Sequence, residues 1–286
     1  MCRLVAYLGT DVLLEEILVK PSNSIIMQSL KARESTVPTN GDGFGLGWYA
    51  PTISLEPALF VSIFPAWSDR NLLYLTAKIK SGSFFAHVRA ASVGGTNNYN
   101  CHPFVYKQWM LMHNGGISDF MSVKRHLRHL LDDDIYNWIQ GETDSEHLFA
   151  LFLQFAKGKD LTQLSVVAET LEQTFKQINQ LVAEYGTTDD PSLFNVCLTD
   201  GQRIIASRYS SNKKTKPESL HYSAGSIWLT PKDRYYRPKR AEVHDCVLIT
   251  SERLNDFSAA WQSVPPNHLL LVDTERRRIH FHKLKI

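Results

Sequence analysis

The sequence is poor in cysteine. Its four cysteines, Cys2, Cys101, Cys197 and Cys246, lie far apart with no C-x-x-C pair among them. That spacing argues against a zinc site or a disulfide framework, so no metal is expected and a reducing, cytoplasmic setting fits. No uncharged apolar run is long enough for a transmembrane helix, so no membrane partner is expected. Apolar residues do follow Arg3, but Asp11, Glu15 and Glu16 interrupt them early and no small-residue cleavage site comes after, so no signal peptide is expected. Charge of one sign is missing as well: the formal net charge is +2 over 286 residues. Nothing global then points to nucleic acid or an acidic membrane surface. The basic runs at 213–216 and 276–278 read as a solvated loop and a hairpin end. Glycines 41, 43, 45 and 47 crowd one short stretch, yet they lack the spacing of a phosphate cradle, and no cofactor is expected. They signal unusual backbone angles or a close approach instead. With no repeat, low-complexity tract or convincing linker, residues 1–286 read as a single domain.

What is present alternates in period. Residues 4–8 form an apolar run ending at Gly9 and read as a buried strand. Residues 11–18 read as a short amphipathic helix or turn, and 31–39 as a loop. Strands are expected at 44–49, 60–64, 83–89 and 109–112, with a helix at 71–78. From Ser122 the apolar spacing becomes helical through Trp138. Thr143-Asp144-Ser145-Glu146 is a capping box opening a helix over 147–156, and a further helix at 161–185 closes on Gly186. Strands then resume. Asp200-Gly201 marks a hairpin between 194–199 and 203–207, followed by strands at 226–229 and 245–251 and a closing hairpin at 268–272 and 278–284. Strands, then helices, then strands suit an α+β sandwich around one shared core.

Cys2 follows the initiator methionine. With Met1 removed, it would carry a thiol and a free α-amine on one residue, a nucleophile with its own base. Position alone is weak ground for that reading. The other candidates, Arg89, Ser92, His102, Asn114, Gly115 and Asp144, each have a plain explanation too: a surface cation, a packed loop histidine, a turn dipeptide, a helix start.

Taken together and in order, these residues resemble the glutaminase domain of class II glutamine amidotransferases, which are N-terminal-nucleophile hydrolases. The matching segments are Met1-Cys2, His87-Val88-Arg89-Ala90-Ala91-Ser92, Asn100-Cys101-His102-Pro103, His113-Asn114-Gly115 and Thr143-Asp144-Ser145-Glu146. Met1-Cys2-Arg3, residues 40–45 and 100–104, and Thr250-Ser251-Glu252-Arg253-Leu254 look most like the stand-alone γ-glutamyl amidohydrolase of ergothioneine biosynthesis. They are also similar to the amidotransferase-like subunit of cytosolic glutathione breakdown. One departure is visible. The large enzymes carry R-G-x-D in the glycine loop, and here the corresponding stretch is Thr39-Asn40-Gly41-Asp42, without the arginine.

The resemblance implies a four-layer αββα sandwich and an amidohydrolase acting on the γ-glutamyl amide of glutamine or a γ-glutamyl compound through a Cys2 thioester. It implies catalytic roles for Cys2 as nucleophile and for Asn114 and Gly115 as oxyanion donors. On the substrate side, Arg89 and Ser92 suit the α-carboxylate, Asp144 the α-ammonium, and His102 shapes the site. The expected partner is a small γ-glutamyl molecule. The sequence leaves open a separate synthetase or peptidase chain, a homo-oligomer, and two other functions: a glutaminase subunit passing ammonia to a synthetase, and a γ-glutamyl-binding protein without catalysis. Leaving-group specificity is expected from residues 91–100, the glycine loop and Ser251-Glu252.

Overall fold

The computed structural model describes residues 2–35, 38–91, 93–227, 236–237, 246–273 and 278–286. Strand β1 (Arg3–Leu13) is central. It pairs with β4 (Lys80–Val88) on one side and β11 (Cys246–Thr250) on the other. With β2 (Phe44–Ala50), β3 (Ser54–Ser62), β9 (His221–Ile227), β10 (Tyr236–Arg237) and β12 (Gln262–Ser263) they make an eight-stranded sheet ordered β10-β9-β11-β1-β4-β2-β3, with β12 also on β9. The second sheet runs β14-β13-β8-β7-β6-β5. Its strands are β5 (Phe104–Tyr106), β6 (Trp109–Gly116), β7 (Leu193–Thr199), β8 (Ile204–Ser210), β13 (His268–Val272) and β14 (Ile279–Lys283). Every strand pairing is antiparallel.

Side-chain alternation sets the layers. Leu4, Ala6 and Leu8 of β1, Phe85 of β4, and Val247 and Ile249 of β11 meet Met110, Met112, Cys197, Ile204 and Leu270 of the other sheet. The residues between them face outward. Val5, Tyr7, Phe84 and Leu248 cover short helices α1 (Glu15–Leu18), α2 (Ile25–Leu30) and α3 (Arg70–Thr76). On the far side, Leu111, Phe194, Val196 and Leu198 pack on α4 (Phe120–Arg128), α5 (Asp133–Trp138), α6 (Asp144–Ala156) and α7 (Leu164–Tyr185). Helix, sheet, sheet, helix is the αββα sandwich that the resemblance implies.

Several local expectations shift. β1 continues through a register shift between Leu8 and Val12 to Leu13, so helix α1 is one turn rather than the whole of 11–18. Residues 25–27 open a helix, with Ser24 accepting from Met27 N–H as its N-cap. The expected helix over 122–138 is two helices, and the second starts among Asp132, Asp133 and Asp134, where acidic residues favour a helix N-terminus. Trp228, Leu229, Asp245, Arg276 and Arg277 lie outside the described residues.

The glycine stretch acts through close approach. A Cβ on Gly45 would stand 2.0 Å from the His102 carbonyl oxygen, which belongs to the segment entering the second sheet. Backbone cannot yield as a flexible side chain would. Gly45→Ala is expected to lower stability by about 3 kcal/mol, the upper end for overpacking, read from the urea midpoint. An unchanged midpoint would remove close approach as the reason for this glycine.

Candidate active site

Alternation also decides what meets at one end of the layer between the sheets. Cys2 has the parity of Leu4 and Ala6; His87 and Arg89 that of Phe85; Asn114 that of Met110 and Met112; Ser251 that of Val247 and Ile249. The contacts bear this out. Cys2 is half-buried, and its Sγ accepts from Ala90 N–H at 3.3 Å and lies 3.4 Å from the Ala90 carbonyl. Burial pushes the Cys2 thiol up, against the pull of the Ala90 N–H and the nearby Arg89 and Arg3 charges. A thiol so placed needs a base to become a nucleophile.

Asn114 is fixed from both ends of its amide. Its Nδ2 donates to Ser251 Oγ at 2.7 Å, and Oδ1 lies 3.0 Å from His87 Nε2. Burial pulls His87 down to about 3, so the ring is neutral and donates from Nε2 to Asn114 Oδ1. Ser251 Oγ also accepts from Leu4 N–H at 3.0 Å, and Ser251 N–H donates to Leu4 O at 3.1 Å. Gly115 has φ +142°, and a Cβ there would meet Leu193 O at 1.9 Å, so no other residue fits.

Arg89 lies just past β4. The glycine loop clasps its backbone: Arg89 N–H donates to Gly43 O at 2.8 Å, Asp42 N–H to Arg89 O at 3.0 Å, and Ala91 N–H to Asp42 Oδ2 at 2.8 Å. The Arg89 guanidinium is buried and donates to the carbonyls of Val93, Gly94 and Gly95 at 2.9, 3.1 and 3.2 Å. It thereby shapes the loop that follows it. Ser92 lies outside the described residues.

Asp144 is the first residue of α6, and Thr143 is the N-cap, accepting from Glu146 N–H at 3.2 Å. Glu146 does not return the bond within the box; it accepts from Gln140 and Gly141 N–H instead. The Asp144 carboxylate accepts from Ile117 N–H at 2.8 Å and Ser145 N–H at 2.9 Å, which ties it to the end of β6. His113 Nε2 donates to Leu193 O at 2.9 Å, so Nδ1 accepts from Ser145 Oγ at 2.9 Å. Burial lowers His113, although Asp144 pulls the other way.

His102 is buried beneath these groups. Its ring packs on His87 at 4.1 Å with the planes tilted by 37° and meets Phe104 edge-on at 4.7 Å, and neither ring nitrogen has a hydrogen-bond partner. Burial and the adjacent His87 hold it well below the ordinary value.

Two residues that the matching segments contain, but to which no role was assigned from sequence, take part. Asn100 donates to Gly95 O at 2.9 Å and accepts from Glu142 N–H at 2.9 Å, stapling the loop after Arg89 to the one before Asp144. Arg3 Nε donates to Cys2 O at 2.6 Å, and Arg3 pairs with Glu252 at 3.1 Å with both side chains 1% exposed. The available signal for Arg3 was its charge at the start of an apolar strand, since a buried cation must find a partner. Among the described residues no three metal-ligating side chains gather, and no helix is long and apolar enough to cross a membrane.

The profile of "Glutamine amidotransferases class-II" matches residues 11–278. This chain belongs to the class-II glutamine amidotransferases. The chain is 36% identical over 299 residues to the probable glutamine amidotransferase DUG3 of Saccharomyces cerevisiae, covering 98% of this chain and 84% of that one. It is 24% identical to the gamma-glutamyl-hercynylcysteine sulfoxide hydrolase of Mycolicibacterium smegmatis, covering 94% and 95%. Among solved structures, a glutamine aminotransferase class-II domain protein from Silicibacter pomeroyi aligns with TM-score 0.67 at 25% identity over 99% of both chains. The glutamine phosphoribosylpyrophosphate amidotransferase of B. subtilis aligns with TM-score 0.61 at 13% identity over half of its length, a likeness of fold alone. The profile match begins after Cys2, so the case for the nucleophile rests on the geometry around it.

Proposed function

We propose that this amidotransferase hydrolyses a γ-glutamyl amide through a thioester on Cys2. The observation that carries the reading is the junction at the end of β1: Cys2 Sγ lies on the Ala90 N–H next to Arg89, and Ser251 joins Leu4 to Asn114. In the proposed cycle Met1 is absent and the Cys2 α-amine takes the thiol proton. Its reference pKa of roughly 8 suits that exchange near neutrality. Sulfur attacks the amide carbon. The second hydrogen of Asn114 Nδ2 and the Gly115 N–H receive the oxyanion, at a worth of about 3 kcal/mol per donor. The ammonium returns its proton to the departing amine, and water cleaves the thioester to release glutamate.

The Arg89 guanidinium receives the substrate α-carboxylate, exchanging part of its bonding to the 93–95 carbonyls for a charge-assisted pair. Asp144 receives the α-ammonium, with His102 and Ser92 completing the glutamyl pocket. Arg89→Gln is expected to raise KM by more than about tenfold, the cost of one charge-assisted contact. An unchanged KM in the folded variant removes the carboxylate role.

The names of the relatives suggest two leaving groups, ammonia from glutamine in an amidotransferase and the amine of a cysteine sulfoxide in a hydrolase. The test is an assay of glutamine, glutathione and other γ-glutamyl peptides, following glutamate and ammonia separately. Glutamate without ammonia supports the hydrolase. Ammonia from glutamine supports the glutaminase reading, in which a separate synthetase chain consumes it. No glutamate from any of them overturns both.

A further inference from the structure

Two consecutive residues, 251 and 252, hold the two halves of the proposed catalytic apparatus. Ser251 Oγ accepts from Asn114 Nδ2 at 2.7 Å and from Leu4 N–H at 3.0 Å. Glu252 Oε1 accepts from Arg3 NH1 at 3.1 Å, and Arg3 Nε in turn donates to the Cys2 carbonyl at 2.6 Å. The far side of Glu252 is fixed as well: Oε2 accepts from Arg33 N–H and Oε1 from Glu34 N–H, both at 2.9 Å. Arg3 and Glu252 stand 249 positions apart in sequence.

We infer that Arg3 and Glu252 are positioning residues that set the nucleophile in register with the oxyanion donor. Cys2 precedes the first residue of β1, so the strand ladder alone does not fix it. Its peptide carbonyl is the handle, and Arg3 holds it. A buried ion pair stabilises a fold no better than apolar residues of the same volume, because desolvating both charges offsets their attraction. What the pair supplies is direction: the guanidinium fork sends Nε to Cys2 and NH1 to Glu252 at once, which a lysine ammonium cannot reproduce.

The inference rests on the hydrolase reading only for turnover, so the test has a second readout that needs no substrate. Arg3→Lys keeps the pair with Glu252 and so the fold, while losing the hold on the Cys2 carbonyl. Its kcat is expected to fall about 30-fold with KM within about threefold, the pattern of an interaction that acts in the transition state. Alkylation of Cys2 by iodoacetamide is expected to rise about fivefold, because release from the Ala90 contact exposes the thiol and relieves its burial. Opposite signs in a variant with the wild-type urea midpoint separate positioning from unfolding. The double variant Arg3→Met/Glu252→Leu removes both charges at similar volume and is expected to behave alike. If it does not fold, Arg3→Lys decides. Wild-type kcat and alkylation in folded Arg3→Lys overturn the inference. If the wild-type protein turns over no γ-glutamyl compound, the hydrolase reading fails, and unchanged alkylation alone still overturns this one.

Discussion

Cys2→Ala is expected to abolish glutamate release and to leave the fold in place. The loss in kcat is on the order of 10⁴-fold or more, the scale seen when a covalent nucleophile is removed. Stability changes by less than about 1 kcal/mol, because the thiol is half-buried and its contacts with Ala90 are weak sulfur hydrogen bonds. The strand that carries it is held elsewhere, by Leu4, Ala6 and Leu8 between the sheets and by Ser251 on the Leu4 peptide. Burial raises the Cys2 thiol, so a base is needed, and neutral His87 is committed to Asn114. The α-amine of Cys2 is then the proposed base, and it exists only after Met1 is removed. A chain with Met1 retained is therefore expected to be as inactive as Cys2→Ala, while intact-mass measurement of active protein finds Cys2 first. Full turnover by Cys2→Ala removes the thioester; full turnover with Met1 in place removes the α-amine as base.

How much of this was legible differs by residue. The apolar run at 4–8 predicted a buried strand, and the alternation of side chains along that strand puts Cys2 on the same side as Leu4, which faces the other sheet. Thr143 announced the start of α6 correctly, since an N-cap is a local interaction. Its partner Glu146 misled, because the carboxylate finds Gln140 and Gly141 rather than Thr143. The extension of β1 to Leu13 was hidden by polar Thr10 and Asp11, which stand exposed within the register shift between Leu8 and Val12. The link from Arg3 to Glu252 leaves no local pattern, as no periodicity spans 249 residues. Motif matches located Arg89, Asn114 and Asp144, but not that Arg89 already holds three loop carbonyls, a fact of tertiary structure.

Lowering the pH from 8 to 5 is expected to cost the protein several kcal/mol of stability, before most carboxylates titrate. Burial, the largest cause in each case, pulls His87 to about 3 and His147 to about 4, lowers His113, and holds His102 well below the ordinary value. In the unfolded chain each takes a proton near 6.5, so the unfolded state binds more protons as pH falls and stability drops with it. The loss begins near the unfolded value and continues down to the folded one. By pH 5 it amounts to about 2 kcal/mol for each histidine that stays neutral in the fold. Glu146 works the other way, since burial raises its carboxyl and protonating it as pH falls relieves that cost, partly offsetting the histidines. His147 allows the test at a residue with no role in the proposed reaction. Its Nδ1 donates to Thr143 O at 2.7 Å and its Nε2 accepts from Arg128 at 2.9 Å, so both nitrogens require the neutral ring. His147→Gln is expected to lower stability at pH 8, yet to reduce the pH-dependent loss by about 2 kcal/mol at pH 5. Urea unfolding at pH 8, 6.5, 5.5 and 5 reads both effects. A wild-type midpoint that is flat across that range would mean that the buried histidines accept protons in the folded state, and with them the hydrogen bond from His87 that fixes Asn114 would need another explanation.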